Sequence, residues 1–294
     1  MKRRSPIAGS WYAGEEKQLK EEISNLFLNT KFGPNINWKE ISSIKTPNRD
    51  LIGVICPHAG YVYSGSIAAW SYATLKSNYP SLDTVVILGP NHRGSGPPIS
   101  IYPSGSWEFP NGILGIDEEI TEYLRKENKY EDIEFENTAH QIEHSIDIQC
   151  PFLTELYGSS LKIIPICIKR QSITTSSILA ELLLEIFEKF QSKKIAIVAS
   201  SDLSHEYEYS TLERNDKLII ESILSGDPEE LDSARMENRV TMCGYGPVLT
   251  LMILGNKLGK LYVEKNAYSN SRLIKPGGDY TVGYFSGACY LESP

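Results

Sequence analysis

Three times along the chain, an apolar run stops at a turn former and hands over to residues that bind metals or move protons. Residues 51–56 lead into Pro57 and His58. Residues 83–88 lead into Gly89, Pro90, Asn91 and His92, and residues 194–199 into Ser200, Ser201, Asp202, Leu203, Ser204 and His205. Neutral imidazoles are ligands for zinc, copper and iron, and two of them with an anionic third donor make a common transition-metal site. Asp202 or Cys243 could supply that anion. Cys243 stands just ahead of an apolar helical stretch ending at Leu258, where the helix macrodipole favours a thiolate. Asp202 and His205 also suit an acid/base or orienting pair beside a metal, and His144, between Glu143 and Ser145, is a further site candidate. Against these stands a plainer reading, in which each histidine is a loop or core residue and Asp202 only bonds backbone amides in a turn.

His140 to His144 spells H-x-x-E-H, the pattern of inverted zinc peptidases, in which two histidines one helical turn apart hold zinc. The match has three fixed positions and follows a polar loop, so a zinc hydrolase is the remotest reading.

The elements that must position these groups follow from the apolar pattern. The runs at 51–56, 83–88 and 194–199 are continuous, as in strands buried on both faces, and the helical stretches between them predict that they are parallel. Their carboxyl ends then share one sheet edge, which is where open α/β sheets bind ligands. His58 is expected to be exposed just past its strand, with Ser64 capping the helix that follows. Further helices are expected around Leu19 to Phe27 and over 117–129, 140–157 (interrupted near Pro151), 176–190, 212–224 and 228–236, the last capped by Asp227. Residues 99–102 and 107–114 read as short strands, 161–168 as a longer one, and 260–268 and 281–291 as closing strands. The opening segment at 5–14 reads as a surface arm docking Trp11 and Tyr12.

Bulk properties narrow the classes. A chain of 294 residues with 41% hydrophobic and 22% charged residues, and no linker-like stretch, suits one α/β domain over 1–294. A net charge of −8 argues against nucleic acid as principal partner. No apolar run approaches the ~18 residues of a membrane span, and no signal-like segment opens the chain, so a cytoplasmic location is expected. Five cysteines without a C-x-x-C pair are not a disulfide framework, and Cys56, Cys150, Cys167 and Cys289 read as buried apolar residues.

PHAGYVYSG (57–65), LGPNH (88–92), EHSID (143–147), SSDLSH (200–205) and MCGYGP (242–247), with AGSWY (8–12) ahead of them, together resemble the Memo family in order and over nearly the whole chain. The resemblance implies a three-layer α/β fold, a mostly parallel or mixed central sheet flanked by helices, like that of the class III extradiol dioxygenases. It also implies a site with iron or copper (zinc being possible) held by His58, His92 and Cys243, with His144, Asp202 and His205 as pocket residues in catalytic or supporting roles. Cysteine replaces the dioxygenase glutamate, which puts ring cleavage in doubt and shifts metal preference toward softer ions such as copper. Histidine ligation predicts that metal affinity falls as pH drops through about 6.5. Among partners, the resemblance implies a small-molecule substrate or a peptide, and a link in archaea and bacteria to radical-SAM and AMMECR-type proteins. The alternative to a redox or oxygen-dependent enzyme is a non-catalytic phosphopeptide-binding module, for which Arg93 and Arg239 are the candidate anion contacts.

Overall fold

A computed structural model of the protein describes residues 2–43, 49–238 and 240–292. Among those residues one mixed sheet organises the chain. Its strands are β1 (Lys2–Arg4), β2 (Asp50–Cys56), β3 (Thr84–Pro90), β4 (Ile99–Ile101), β5 (Ser106–Phe109), β6 (Gly112–Ile116), β7 (Ile133–Phe135), β8 (Lys162–Ile168), β9 (Ile195–Ser200), β10 (His205–Glu206), β11 (Leu261–Asn270) and β12 (Thr281–Leu291). They lie in the order β1-β5-β6-β8-β3-β9-β2-β12-β10, with β11 paired to β12 and β4 to β7 and β8. The three strands that carry chemistry, β3, β9 and β2, are adjacent and parallel, as the apolar runs predict.

These strands are buried along their length because each feeds two cores. Along β3, Val85 and Ile87 point into one apolar cluster, while Val86 and Leu88 point into the other. That is the period-two alternation of a strand covered on both faces. The first cluster is closed by α1 (Glu16–Leu28), α2 (Ser66–Asn78) and α4 (Cys150–Tyr157), through Leu19, Ile23, Phe27, Tyr72 and Phe152. The second is closed by α5 (Ile173–Lys189), α6 (Tyr209–Leu224), α7 (Pro228–Asn238) and α8 (Tyr245–Leu258), through residues such as Leu179, Leu183, Ile219, Val248 and Met252. The crossover from β2 to β3 uses α2 and the one from β8 to β9 uses α5, on opposite faces. β2 leads on to α2 in the first cluster, whereas its neighbour β9 leads on to α6 in the second, so the connections part at the ends of these two strands and leave a crevice there.

Capping follows local sequence in several places. Asp117 accepts the Ile120 N–H at the start of α3 (Glu118–Glu127), Ser172 accepts the Thr175 N–H of α5, and Asp227 accepts the Glu229 N–H of α7. Ser64 does not cap α2. A single π-helical turn, Tyr61–Gly65, precedes that helix, and the Ser64 hydroxyl donates back to the Ala59 carbonyl at 2.7 Å. Nor is 140–157 one interrupted helix. It holds short 3-10 turns at Thr138–His140 and Asp147–Gln149, and α4 begins at Cys150 with Pro151 in its first turn, where a missing N–H costs nothing. A four-residue helix, α9 (Ser271–Ile274), joins the antiparallel closing strands β11 and β12. No helix among the described residues is long and apolar enough to cross a membrane.

Candidate metal centre

At the end of β2 the chain delivers His58 into the crevice, where it is buried (2% exposed) rather than exposed. Its tautomer follows from the neighbouring β9. The Ser200 hydroxyl gives its one proton to the Ser145 carbonyl at 2.7 Å and accepts from Gln149 Nε2 at 2.9 Å. His58 Nδ1, 2.9 Å from the same oxygen, must then be the protonated nitrogen. Nε2 keeps its lone pair and faces the Cys243 Sγ at 3.0 Å. Burial, then the imidazoles of His92 and His144, hold the His58 pKa well below the usual value, so the ring is neutral.

His92, past the end of β3, is held by Glu143. One carboxylate oxygen accepts the His92 backbone N–H at 2.7 Å and the other meets Nδ1 at 2.9 Å, leaving Nε2 free on the opposite side of the ring. The second oxygen also accepts the N–H groups of His144 and Ser145 at 2.9 Å. Burial would raise the Glu143 pKa, but the His92 ring and these amides outweigh it and bring it to about 2. An anion that orients an imidazole in this way is a recurrent support for a metal ligand. Gly89 permits the approach, since a Cβ there would lie 2.5 Å from Ser145 Oγ and Ile146 Cγ1.

His144 completes a cluster of rings. Its centroid lies 4.4 Å from that of His92 in a stacked arrangement and 5.5 Å from that of His58. Its Nδ1 is buried without a hydrogen bond, and burial lowers its pKa to about 4. One ring nitrogen from each of His58, His92 and His144 lies within 4.8 Å of the others, and a second donor group of the same size joins His58, Asp202 and Cys243. The expected trio of His58, His92 and Cys243 is thus spread over two groups that share His58. His144, expected as a pocket residue, stands among the donors.

Cys243 reaches the site because α8 starts against the end of β9. A Cβ on Gly244 would lie 2.1 Å from the Ser200 carbonyl oxygen, so the close approach requires glycine there. The macrodipole does not make Cys243 a thiolate: burial, then the neighbouring Asp202, pushes the thiol pKa well above the usual value. Asp202 does not pair with His205. Its Oδ1 accepts the His58 backbone N–H at 2.7 Å, and burial raises its pKa to about 7. His205 donates from Nδ1 to the Leu203 carbonyl at 2.9 Å, sits in β10 opposite Val282 and lines the same pocket without joining either donor group.

The H-x-x-E-H match is broken by its backbone, because 141–146 is not helical and His140 turns away. His140 is fully buried, with Nε2 3.1 Å from Ser100 Oγ.

The opening segment is part of the site rather than a surface arm. Arg3 pairs with Asp147 at 2.6 Å and donates to the carbonyls of His140 and Glu143, while Ser5 and Tyr12 donate to the other Asp147 oxygen. This network seats Trp11 with its ring 4.4 Å from that of His144. Trp11 and the three histidines line a pocket of about 590 Å³ together with Tyr63, Arg272, Lys275 and Tyr280. Of the expected anion contacts, exposed Arg93 donates to the Ile142 carbonyl at 3.3 Å and does not line this pocket, and Arg239 lies outside the described residues. Sequence reading missed Glu143 and Asp147 as supports, Trp11 as a pocket wall, and Arg272 and Lys275. The only signal for the supports was their presence in the EHSID run beside His144.

An α/β protein with a histidine-lined crevice at its strand ends, and a cysteine against one of those histidines, is what fold and site define. The sequence matches the Memo-like protein family over residues 3–288, and the chain belongs to that family. It is 40% identical to a MEMO1 family protein of Sulfurisphaera tokodaii over 95% of this chain and 96% of that one. MEMO1 family proteins of Saccharolobus solfataricus and Nitrosopumilus maritimus are 38% and 37% identical, each over 97% of this chain and 98% of theirs. A solved structure of an uncharacterized protein from Escherichia coli K12 is similar with a TM-score of 0.58 at 11% identity, covering 81% of this chain and 99% of that chain. That likeness concerns the fold alone.

Proposed function

We propose that the chain is a metal-binding protein whose ion, iron or copper, is held by His58, His92 and Cys243, with His144 beside them as a further donor. The observation that carries this reading is the pair His58 Nε2 and Cys243 Sγ, 3.0 Å apart, with the imidazole proton fixed on the other nitrogen. The lone pair that receives the thiol proton is the one an ion would take, which supports Cys243 as a ligand. Glu143 and Ser200 orient the two histidines, and burial keeps His58 neutral and ready to coordinate. Imidazole nitrogens with a thiolate suit copper and iron, and the soft sulfur tilts the set toward copper.

Such an ion supplies one-electron redox chemistry. The chain's own groups would supply the rest: burial raises the Asp202 pKa to about 7, which suits proton exchange near neutral pH, and Trp11 and His205 line the pocket. Redox turnover of a small molecule is the activity this arrangement fits.

Copper(II) titration of the chelated protein tests the reading. A sulfur-to-copper charge-transfer band should form, vanish in Cys243→Ser and survive in His205→Ala. Copper binding without such a band would remove Cys243 from the ligand set.

A further inference from the structure

What aims Cys243 at His58 lies outside both donor groups and outside the pocket. The first N–H groups of a helix have no partner within it, and a polar N-cap side chain usually accepts one of them. In α8 the N-cap is Gly244, which has no side chain to offer, and any other residue would strike the Ser200 carbonyl oxygen. The close approach of α8 to β9 therefore leaves the helix without a cap of its own. Gln171, in the turn between β8 and α5, supplies one from 75 positions away. Its Oε1 accepts the Gly246 N–H at 2.7 Å, and its Nε2 donates to the Cys243 carbonyl at 2.8 Å. An N–H can only donate and a carbonyl can only accept, so both contacts fix the same orientation of the amide. From the opposite side, Ser201 Oγ accepts the Gly244 N–H at 3.0 Å. The peptide unit joining Cys243 to Gly244 is thus gripped at both ends, by Gln171 on its oxygen and by Ser201 on its N–H. That grip limits how far the Cys243 side chain can turn away from His58 Nε2, which lies 3.0 Å from its Sγ.

We infer that Gln171 is the positioning residue for Cys243: its amide replaces the missing helix cap and holds the Sγ against the His58 lone pair. A carboxylate of the same shape has no proton for the Cys243 carbonyl, and an ammonium has no acceptor for the Gly246 N–H, so the amide is matched to both tasks. The aim of the thiol stands on these contacts alone, whereas its consequence for a bound ion rests on the metal reading.

Two measurements on the full chain test this in Gln171→Leu, close in size but without donor or acceptor, and in Gln171→Ala. In the chelated protein, iodoacetamide should alkylate Cys243, the one cysteine of the five that is not buried, about tenfold faster than in the parent, because the helix start opens more often. Cys56, Cys150, Cys167 and Cys289 should stay unlabelled. In the copper-loaded protein, the sulfur-to-copper band should shift or lose intensity in both variants. A parental alkylation rate in Gln171→Leu overturns the inference, and so does a parental band in that variant. Labelling of all five cysteines at one common rate also overturns it, since the amide would then hold the fold rather than the thiol. Failure of the metal reading would show separately, as a parent without any sulfur band whose Gln171 variants still alkylate faster at Cys243.

Discussion

At the scale of single residues, burial decides the chemistry more than residue type does. His58, His140 and His144 are all held neutral by burial, His140 down to about 3. The unfolded chain protonates its histidines near 6.5, so His140 contributes full stability above that pH, and the contribution is lost as pH falls from 6.5 toward about 3. By pH 5 the loss is about 2 kcal/mol for this one residue. Thermal melts should therefore show His140→Gln losing less stability between pH 7 and 5 than the parent protein; equal slopes would contradict this. The same depression changes the expectation for metal affinity. Competition by protons at His58 and His144 moves below 6.5, while the thiol of Cys243 is pushed up and must lose its proton on ligation. Affinity measured at pH 6, 7 and 8 should rise with pH, more steeply than in Cys243→Ala by about tenfold per unit. Parallel slopes would mean that the sulfur stays protonated. Glu143→Gln should weaken metal binding about 10- to 100-fold while His92 remains in place, because the group that orients its ring is lost.

At the scale of elements, close approaches rather than loops set the geometry. The start of α8 reaches β9 only through Gly244, so Gly244→Ala should displace Cys243 and abolish the sulfur band. Iodoacetamide labelling of Cys243 at an altered rate would accompany that shift. The N-terminal segment is tied to the 140–149 segment by the buried Arg3–Asp147 pair. Removing one partner leaves an uncompensated buried charge, at a cost of about 3–5 kcal/mol. Asp147→Ala should lower the melting temperature and free Trp11 from His144, which its fluorescence would report; a melt unaltered from the parent would show that the pair anchors nothing.

At the scale of the whole molecule, the sheet was legible because β2, β3 and β9 are continuous apolar runs, and their shared edge follows from parallel pairing. His58, His92, Asp202 and His205 all reach that edge for the same reason, whereas Cys243 reaches it from the start of α8. What the sequence hid were contacts without local pattern. Glu143 holds His92 across 51 positions, and Asp147 gathers Arg3, Ser5 and Tyr12 from the far end of the chain. Ser64 looked like a cap because helix signals ignore a preceding π turn, and 140–157 looked helical because its apolar spacing does not register hydrogen bonds to other segments. The Memo relationship, evident from short motifs, holds across the chain.

The central claim is that His58 anchors a metal with His92 and Cys243. Elemental analysis of protein purified without a chelating tag, for the parent, His58→Ala and Cys243→Ala, tests it most directly. The prediction is about one equivalent of iron or copper in the parent, almost none in His58→Ala, and a clear loss in Cys243→Ala, with all three proteins folded. Undiminished metal in both variants would contradict it.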